Sequence, residues 1–195
     1  MKKTKKNVLN IVLFSLATLL ILMLIFIVKA FLYDIRYDDG IFYSFTQKYN
    51  FLDFLIWRYQ SWSGRITGDG LAYIASLFGI WFYRILAPFC IFLTVYSIVR
   101  IYKSKVDFKI LFLTILLFGL VNFSVLSSSV FWFNGFIYYL IPVSFGFYSM
   151  IIYADFYFRK IFRINLFKII SIFFSMFIAI FANEQISLIM VVFAF

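Results

Sequence analysis

Long apolar runs alternate with short charged clusters along the chain, and the alternation predicts a bundle of membrane-spanning helices. Val8 to Val28 is an unbroken run of 21 mostly Leu, Ile, Val and Phe residues, against about 20 needed to cross the hydrocarbon core as a helix. A cleaved signal peptide would carry an apolar core of about 7 to 15 residues and a small-residue cleavage site. The run therefore predicts a retained first span, with Lys29 snorkelling to the headgroups. Phe42, Phe45, Tyr49, Leu52, Ile56 and Tyr59 then recur at steps of three and four, with Ser44, Gln47, Lys48 and Asp53 between them. That is the period of an amphipathic helix; its charges make it a poor span, and it is expected to lie flat on the outer membrane surface. Gly64, Gly68 and Gly70 predict a break over Ser61 to Gly70.

Leu71 to Tyr83 is apolar again, but a single helix from there to Tyr102 would measure about 48 Å against a core of about 30 Å. A second interfacial segment, a break near Arg84 and a second span from Ile85 to Ile101 are expected instead, with Pro88 in the first turn, where a missing N–H is tolerated. Ile110 to Leu126 reads as a third span, Ser127 to Phe136 as an uncharged outer loop, and Tyr138 to Phe156 as a fourth span in which Asp155 pairs with Arg159 at i, i+4. A fifth helix begins near Ile169 and reaches Asn183-Glu184-Gln185. Ile186 to Phe195 would extend only about 15 Å as a helix, so the chain is expected to be the N-terminal part of a longer protein. The fold class is all-α: a polytopic transmembrane bundle of about five to six spans. Residues 1–195 form a single transmembrane domain in which 34–84 make an extracytoplasmic loop with interfacial helices.

Composition agrees with this pattern. Apolar side chains make up 65% of the sequence, against roughly 45 to 50% in a soluble domain. The net charge of +10 would suggest nucleic acid if the cations lined one face, but most lie in three clusters: Lys2, Lys3, Lys5, Lys6; Arg100, Lys103, Lys105, Lys109; and Arg159, Lys160, Arg163, Lys168. Clusters between apolar runs are a topology signal and place all three, with the N-terminus, in the cytoplasm. Nucleic acid is not an expected partner; membrane lipid is. All four tryptophans, Trp57, Trp62, Trp81 and Trp132, then fall outside or at the outer interface, as an aromatic belt would. Cys90 is the only cysteine, which excludes a disulfide framework and a thiolate metal site. Histidine is absent, so acid–base chemistry falls to carboxylates.

Those carboxylates gather between Asp34 and Arg65. Asp38 and Asp39 stand together at the lip of the first span, an arrangement that costs repulsion unless a partner is near; an N-cap and an Asp-Gly turn are the plainer account. Arg65, in Trp62-Ser63-Gly64-Arg65, is a candidate partner and a forked donor suited to phosphate. Glu184, the only glutamate, follows a long apolar run, where an acid is expensive and a functional candidate by default; an exposed turn between two helices is the alternative. Trp132, Asn134 and Gly135 mark the aromatic outer loop.

A basic N-terminus, one span, an outer loop opening on paired acids, surface helices and then many short-looped spans resemble the class C glycosyltransferases, which take sugars from polyprenyl-phosphate donors. Trp62-Ser63-Gly64-Arg65, the segment from Trp132 to Tyr139 and Asn183-Glu184 are similar to motifs of an uncharacterised bacterial branch of that superfamily. The resemblance covers essentially the whole chain as the N-terminal part of such a protein, whose usual length has about twice as many spans. It implies an inverting glycosyltransferase of the bacterial inner membrane, with a polyprenyl-phosphate-linked sugar as donor and a cell-envelope acceptor. Asp38 or Asp39 would be the catalytic base, Arg65 would neutralise phosphate, Glu184 with Asn183 and Asn134 would orient substrate, and Trp62 or Trp132 would stack on a pyranose. It implies no obligatory cofactor and leaves a divalent metal on the Asp pair open. A transporter or flippase of a lipid-linked saccharide, and a noncatalytic membrane fragment, are the rival readings.

Overall fold

The computed structural model describes residues 37–161 and 165–194. The first span, Lys29, Asp34, Arg36, the first basic cluster and Arg163 lie outside them. The described chain is 86% helix, with no strand among the described residues. Nine helices follow in order: α1 (Tyr37–Lys48), α2 (Phe51–Ser61), α3 (Ile66–Phe78), α4 (Ile80–Tyr102), α5 (Phe108–Gly119), α6 (Phe123–Phe131), α7 (Phe133–Phe158), α8 (Leu166–Ala182) and α9 (Glu184–Ala194).

Two of these, α4 and α7, are long and apolar enough to cross a bilayer, and the bent pair of α5 and α6 makes a third if counted as one span. Their 23 and 26 residues correspond to about 35 and 39 Å. The apolar surface also faces outward. Leu116, Leu117 and Leu120 on and after α5, and Phe173, Phe174 and Phe177 on α8, are all exposed, so these helices carry hydrocarbon on their outer faces as lipid-facing segments do. The described residues are thus all-helical with two or three candidate membrane spans, which suggests a membrane protein.

The helix α7 is the centre, packed between α4 and α8. Its buried positions include small and hydroxylated residues, Ser144, Gly146 and Ser149, among larger apolar ones. Ser144 is fully buried and donates to the Cys90 and Leu140 carbonyls at 2.9 and 2.6 Å. Thr94 Oγ1 lies 2.8 Å from the same hydroxyl. Hydroxyls that bond across helices and small residues that let backbones approach are the usual means of holding helices together where lipid removes a hydrophobic driving force. At one end, Asp155 gathers cations from α4, from the end of α7 and from α8: Arg100 at 3.5 Å, Lys168 at 2.7 Å, and Arg159. The expected i, i+4 pair is there, inside a larger knot. Arg159 also donates to the Arg100 and Ile101 carbonyls, closing the C-terminus of α4.

Several boundaries differ from the sequence expectation. The amphipathic segment from Phe42 to Tyr59 is two helices, because Asn50 caps a new one by accepting the Asp53 N–H at 2.9 Å. Gly68 and Gly70 do not break the chain; they lie within α3, where Gly68 lets the helix approach the Tyr138 ring and the Ala182 carbonyl. The break expected near Arg84 occurs at Gly79, whose φ of 60° is a conformation that other residues adopt only with strain. Pro88 is consequently inside α4 rather than in its first turn. The third span is not straight: α5 and α6 meet at 93°. The segment from Ser127 to Phe136, expected as an outer loop, is almost wholly helical, with Trp132 alone extended between α6 and α7.

Candidate functional site

The paired acids open α1. Asp38, Asp39 and Gly40 are helical rather than a turn. The Asp39 carboxylate accepts the backbone N–H of Asn134 at 3.2 Å, which joins the acidic stretch to the Trp132–Gly135 segment.

That segment is unusual backbone. The residues on either side of it, Ser127–Phe131 and Phe136–Leu140, are π-helical, a rare geometry that is frequent at functional sites. Gly135 makes the crossing possible, since a Cβ on it would lie 1.8 Å from the Ser128 carbonyl oxygen. Gly135→Ala must displace backbone against backbone and is expected to cost about 1–3 kcal/mol, read as a lower melting temperature in detergent. Gly64→Ala, with nothing within 4 Å of the new carbon, is the control. Equal melting of the two would contradict the close approach.

A cavity of about 570 Å³ is lined in part by Trp132 and Asn134 of this segment. Trp57, Trp62 and Trp132 form aromatic walls, Arg58 and Arg65 bring the charges, and Asn134 supplies an amide. Asn134 is 1% exposed, yet neither its Oδ1 nor its Nδ2 has a hydrogen-bond partner in the protein; Trp132 Nε1 and Arg58 Nε are also buried and unpaired. Leaving such atoms unsatisfied costs about 1–3 kcal/mol each, and the three residues that carry them all line this one cavity, which makes it the candidate ligand site. A second cavity, about 510 Å³ at the end of the molecule that holds Asp155, is lined by Ile98, Ile101, Tyr102, Phe147 and Phe158 with Arg159, and lacks that convergence.

Two residues of the site escaped the sequence reading. Arg58, on α2, pairs with Asp69, on α3, at 3.0 Å, with side-chain exposures of 13% and 1%. Asp69 also accepts the Tyr138 hydroxyl at 2.5 Å and the Ser63 hydroxyl at 3.3 Å. Held this way, the Arg58 guanidinium lies 5.5 Å from the Phe42 ring and 5.7 Å from the Trp62 ring, within cation–π range. A lone acid in the otherwise apolar stretch after Arg65 was the available signal.

Arg65 pairs with Glu184. Its Nε donates to both Glu184 oxygens, at 2.8 and 2.9 Å, so two candidate residues 119 positions apart bind each other. Arg65 holds the Glu184 carboxyl below the usual carboxylate range. The pair therefore adds stability above the ordinary glutamate pKa, and that contribution fades as pH falls through the lowered value. With Glu184 62% exposed, the contribution is about 0–1 kcal/mol. Asn183 is buried and serves backbone: its Nδ2 donates to the Tyr138 carbonyl at 3.0 Å and its Oδ1 accepts the Gln185 N–H at 2.9 Å. The structure thus brings Trp62, Arg65, Trp132 and Asn134 to one cavity, with Asp39 against it through Asn134. Glu184 is tied on through Arg65, and Asn183 supports the start of α9. Among the described residues, no three His, Cys, Asp or Glu side chains converge as a metal site. Compared with known proteins, the chain matches no family model, no curated protein and no solved structure.

Proposed function

We propose that the protein is a membrane glycosyltransferase of the class C type, moving a sugar from a polyprenyl-phosphate donor to a cell-envelope acceptor on the extracytoplasmic side. The observation that carries this reading is the buried Asn134 amide, unpaired at both atoms, in a cavity walled by three tryptophans and flanked by two arginines. Indole faces suit the apolar face of a pyranose, amides suit its hydroxyls, and guanidinium suits phosphate. In the reaction, Asp38 or Asp39 takes the proton of the acceptor hydroxyl as that oxygen bonds to the anomeric carbon. The bond from that carbon to the phosphate oxygen breaks with inversion, and polyprenyl phosphate leaves with the electron pair. The ion pair with Glu184 uses Arg65 Nε and leaves the two Nη groups for the charge growing on phosphate.

The test is transfer of radiolabelled sugar from a panel of polyprenyl-phosphate donors in membranes carrying the protein in its full reading frame. Label passing to an acceptor only when the protein is present supports the reading. Binding without transfer favours the transporter.

The finer topology belongs to the same proposal: five to six spans in a bacterial inner membrane, with the N-terminus and all three basic clusters in the cytoplasm. Cys90 is fully buried, so introduced cysteines are read without background. Asn50→Cys and Ser128→Cys are expected to label with an impermeant thiol reagent in intact cells, and Ser104→Cys only after permeabilisation. The opposite pattern overturns the orientation.

A further inference from the structure

The unpaired atoms of the cavity indicate which part of a ligand occupies its floor. Asn134 presents a donor, Nδ2, and an acceptor, Oδ1, side by side on one planar amide that is 1% exposed. A phosphate group offers acceptors only; against this amide it would satisfy Nδ2 and oppose Oδ1. Two adjacent hydroxyls satisfy both amide atoms together, one accepting from Nδ2 and the other donating to Oδ1. The Trp132 indole N–H and the Arg58 Nε–H, buried and unpaired, are two more donors for ring and hydroxyl oxygens. The segment bearing Asn134 is fixed on both sides, by Asp39 on its own N–H and by the packing of Gly135 on the Ser128 carbonyl. An amide held so firmly discriminates between hydroxyl arrangements rather than adapting to them.

We infer that Asn134 is the specificity-determining residue of the cavity, reading two adjacent hydroxyls on the ring of a lipid-linked sugar, so that the sugar and not the phosphate sits on the floor. The inference rests on the cavity being the donor site proposed above, but it needs binding only. Arg65, with its Nη groups free of the ion pair, holds the phosphate end.

The protein carries its own reporter. Three of its four tryptophans line the cavity, and the fourth, Trp81, is exposed elsewhere; Trp81→Phe leaves fluorescence from Trp57, Trp62 and Trp132. The purified protein in detergent is titrated with polyprenyl phosphate alone and with the same lipid phosphate carrying glucose, galactose, mannose, arabinose or N-acetylglucosamine. At least one sugar-bearing lipid is expected to bind about tenfold or more tighter than the bare lipid phosphate, as two hydrogen bonds to buried groups imply. Its analogue lacking one hydroxyl of the pair is expected to lose that advantage.

Asn134→Leu is expected to bring sugar-bearing and bare lipids within about twofold of each other, as expected for loss of both amide bonds, without lowering the melting temperature, because it removes two unpaired buried atoms. Asn134→Asp, equal in shape but without the donor, is expected to erase the preference too, and serves if the leucine variant fails to fold. Bare lipid phosphate binding as tightly as every sugar-bearing form, or a preference that survives both substitutions, overturns the inference. A preference without transfer in membranes leaves it standing and removes the transferase; transfer without a preference does the reverse.

Discussion

Asp39→Asn is expected to lower sugar transfer by about 10² to 10⁴, the range for loss of a general base, with the protein still folded and still binding donor. The substitution is informative because it can keep the bond to Asn134. Asp39 accepts the Asn134 N–H at 3.2 Å through Oδ1, and an asparagine in its place retains a carbonyl oxygen for that bond. The bond to Asn134 is kept while the base is lost, so a fall in rate with unchanged donor affinity separates proton transfer from positioning. Asp38→Asn belongs beside it, since either acid of the pair can serve in the proposed reaction, and the variant with the larger loss identifies the base. Histidine is absent from the sequence and cannot substitute. Wild-type transfer in both single variants and in the double variant would sink the enzymatic reading.

The second large effect is on stability. Asp69→Asn leaves the Arg58 guanidinium, 13% exposed, without its ion partner, and breaking a buried pair in this way costs about 3–5 kcal/mol. Asparagine still accepts the Tyr138 hydroxyl that reaches Asp69 at 2.5 Å, so the loss reports the charge rather than the hydrogen bond. A marked fall in melting temperature is expected. Replacing both partners by apolar residues, Arg58→Met with Asp69→Leu, is expected to recover most of it while depriving the cavity of a cation. An unchanged melting temperature in Asp69→Asn would show that the pair is solvated and does not hold α2 to α3.

How much of this was legible beforehand follows from what hydropathy and spacing record. Helical membrane character was legible, because it is a property of composition along the chain. So was the long helix expected over Tyr138 to Phe156 and found over Phe133–Phe158, and so was the Asp155–Arg159 pair, whose spacing is local. The sequence also singled out Trp62, Arg65, Trp132 and Asn134, which the fold gathers at one cavity. The partners were not legible. Arg65 was matched to Asp38 and Asp39, whereas the fold brings it to Glu184, and no local pattern encodes a contact over such a distance. Gly68 and Gly70 read as breakers because a glycine count cannot tell a turn from a close helix contact. Asp69 was overlooked between them. The π-helical turns around Trp132 and the bend between α5 and α6 have no compositional signature.

The reach of the Arg65–Glu184 and Asp39–Asn134 contacts also sets the order in which the molecule can be made. Long-range contacts form only after the intervening chain is available and its loop entropy has been met. During synthesis, α1 to α3 leave the ribosome with Arg65 unpaired and the Asp39 carboxylate still lacking its backbone donor. The floor is laid when Asn134 emerges, and the rim closes only when Glu184 arrives at the start of α9. A nascent chain stalled before residue 134 would have no cavity, and one stalled between there and 184 would have an open one. Arrival of the later helices is therefore the step that completes the cavity around Arg65 and Trp62.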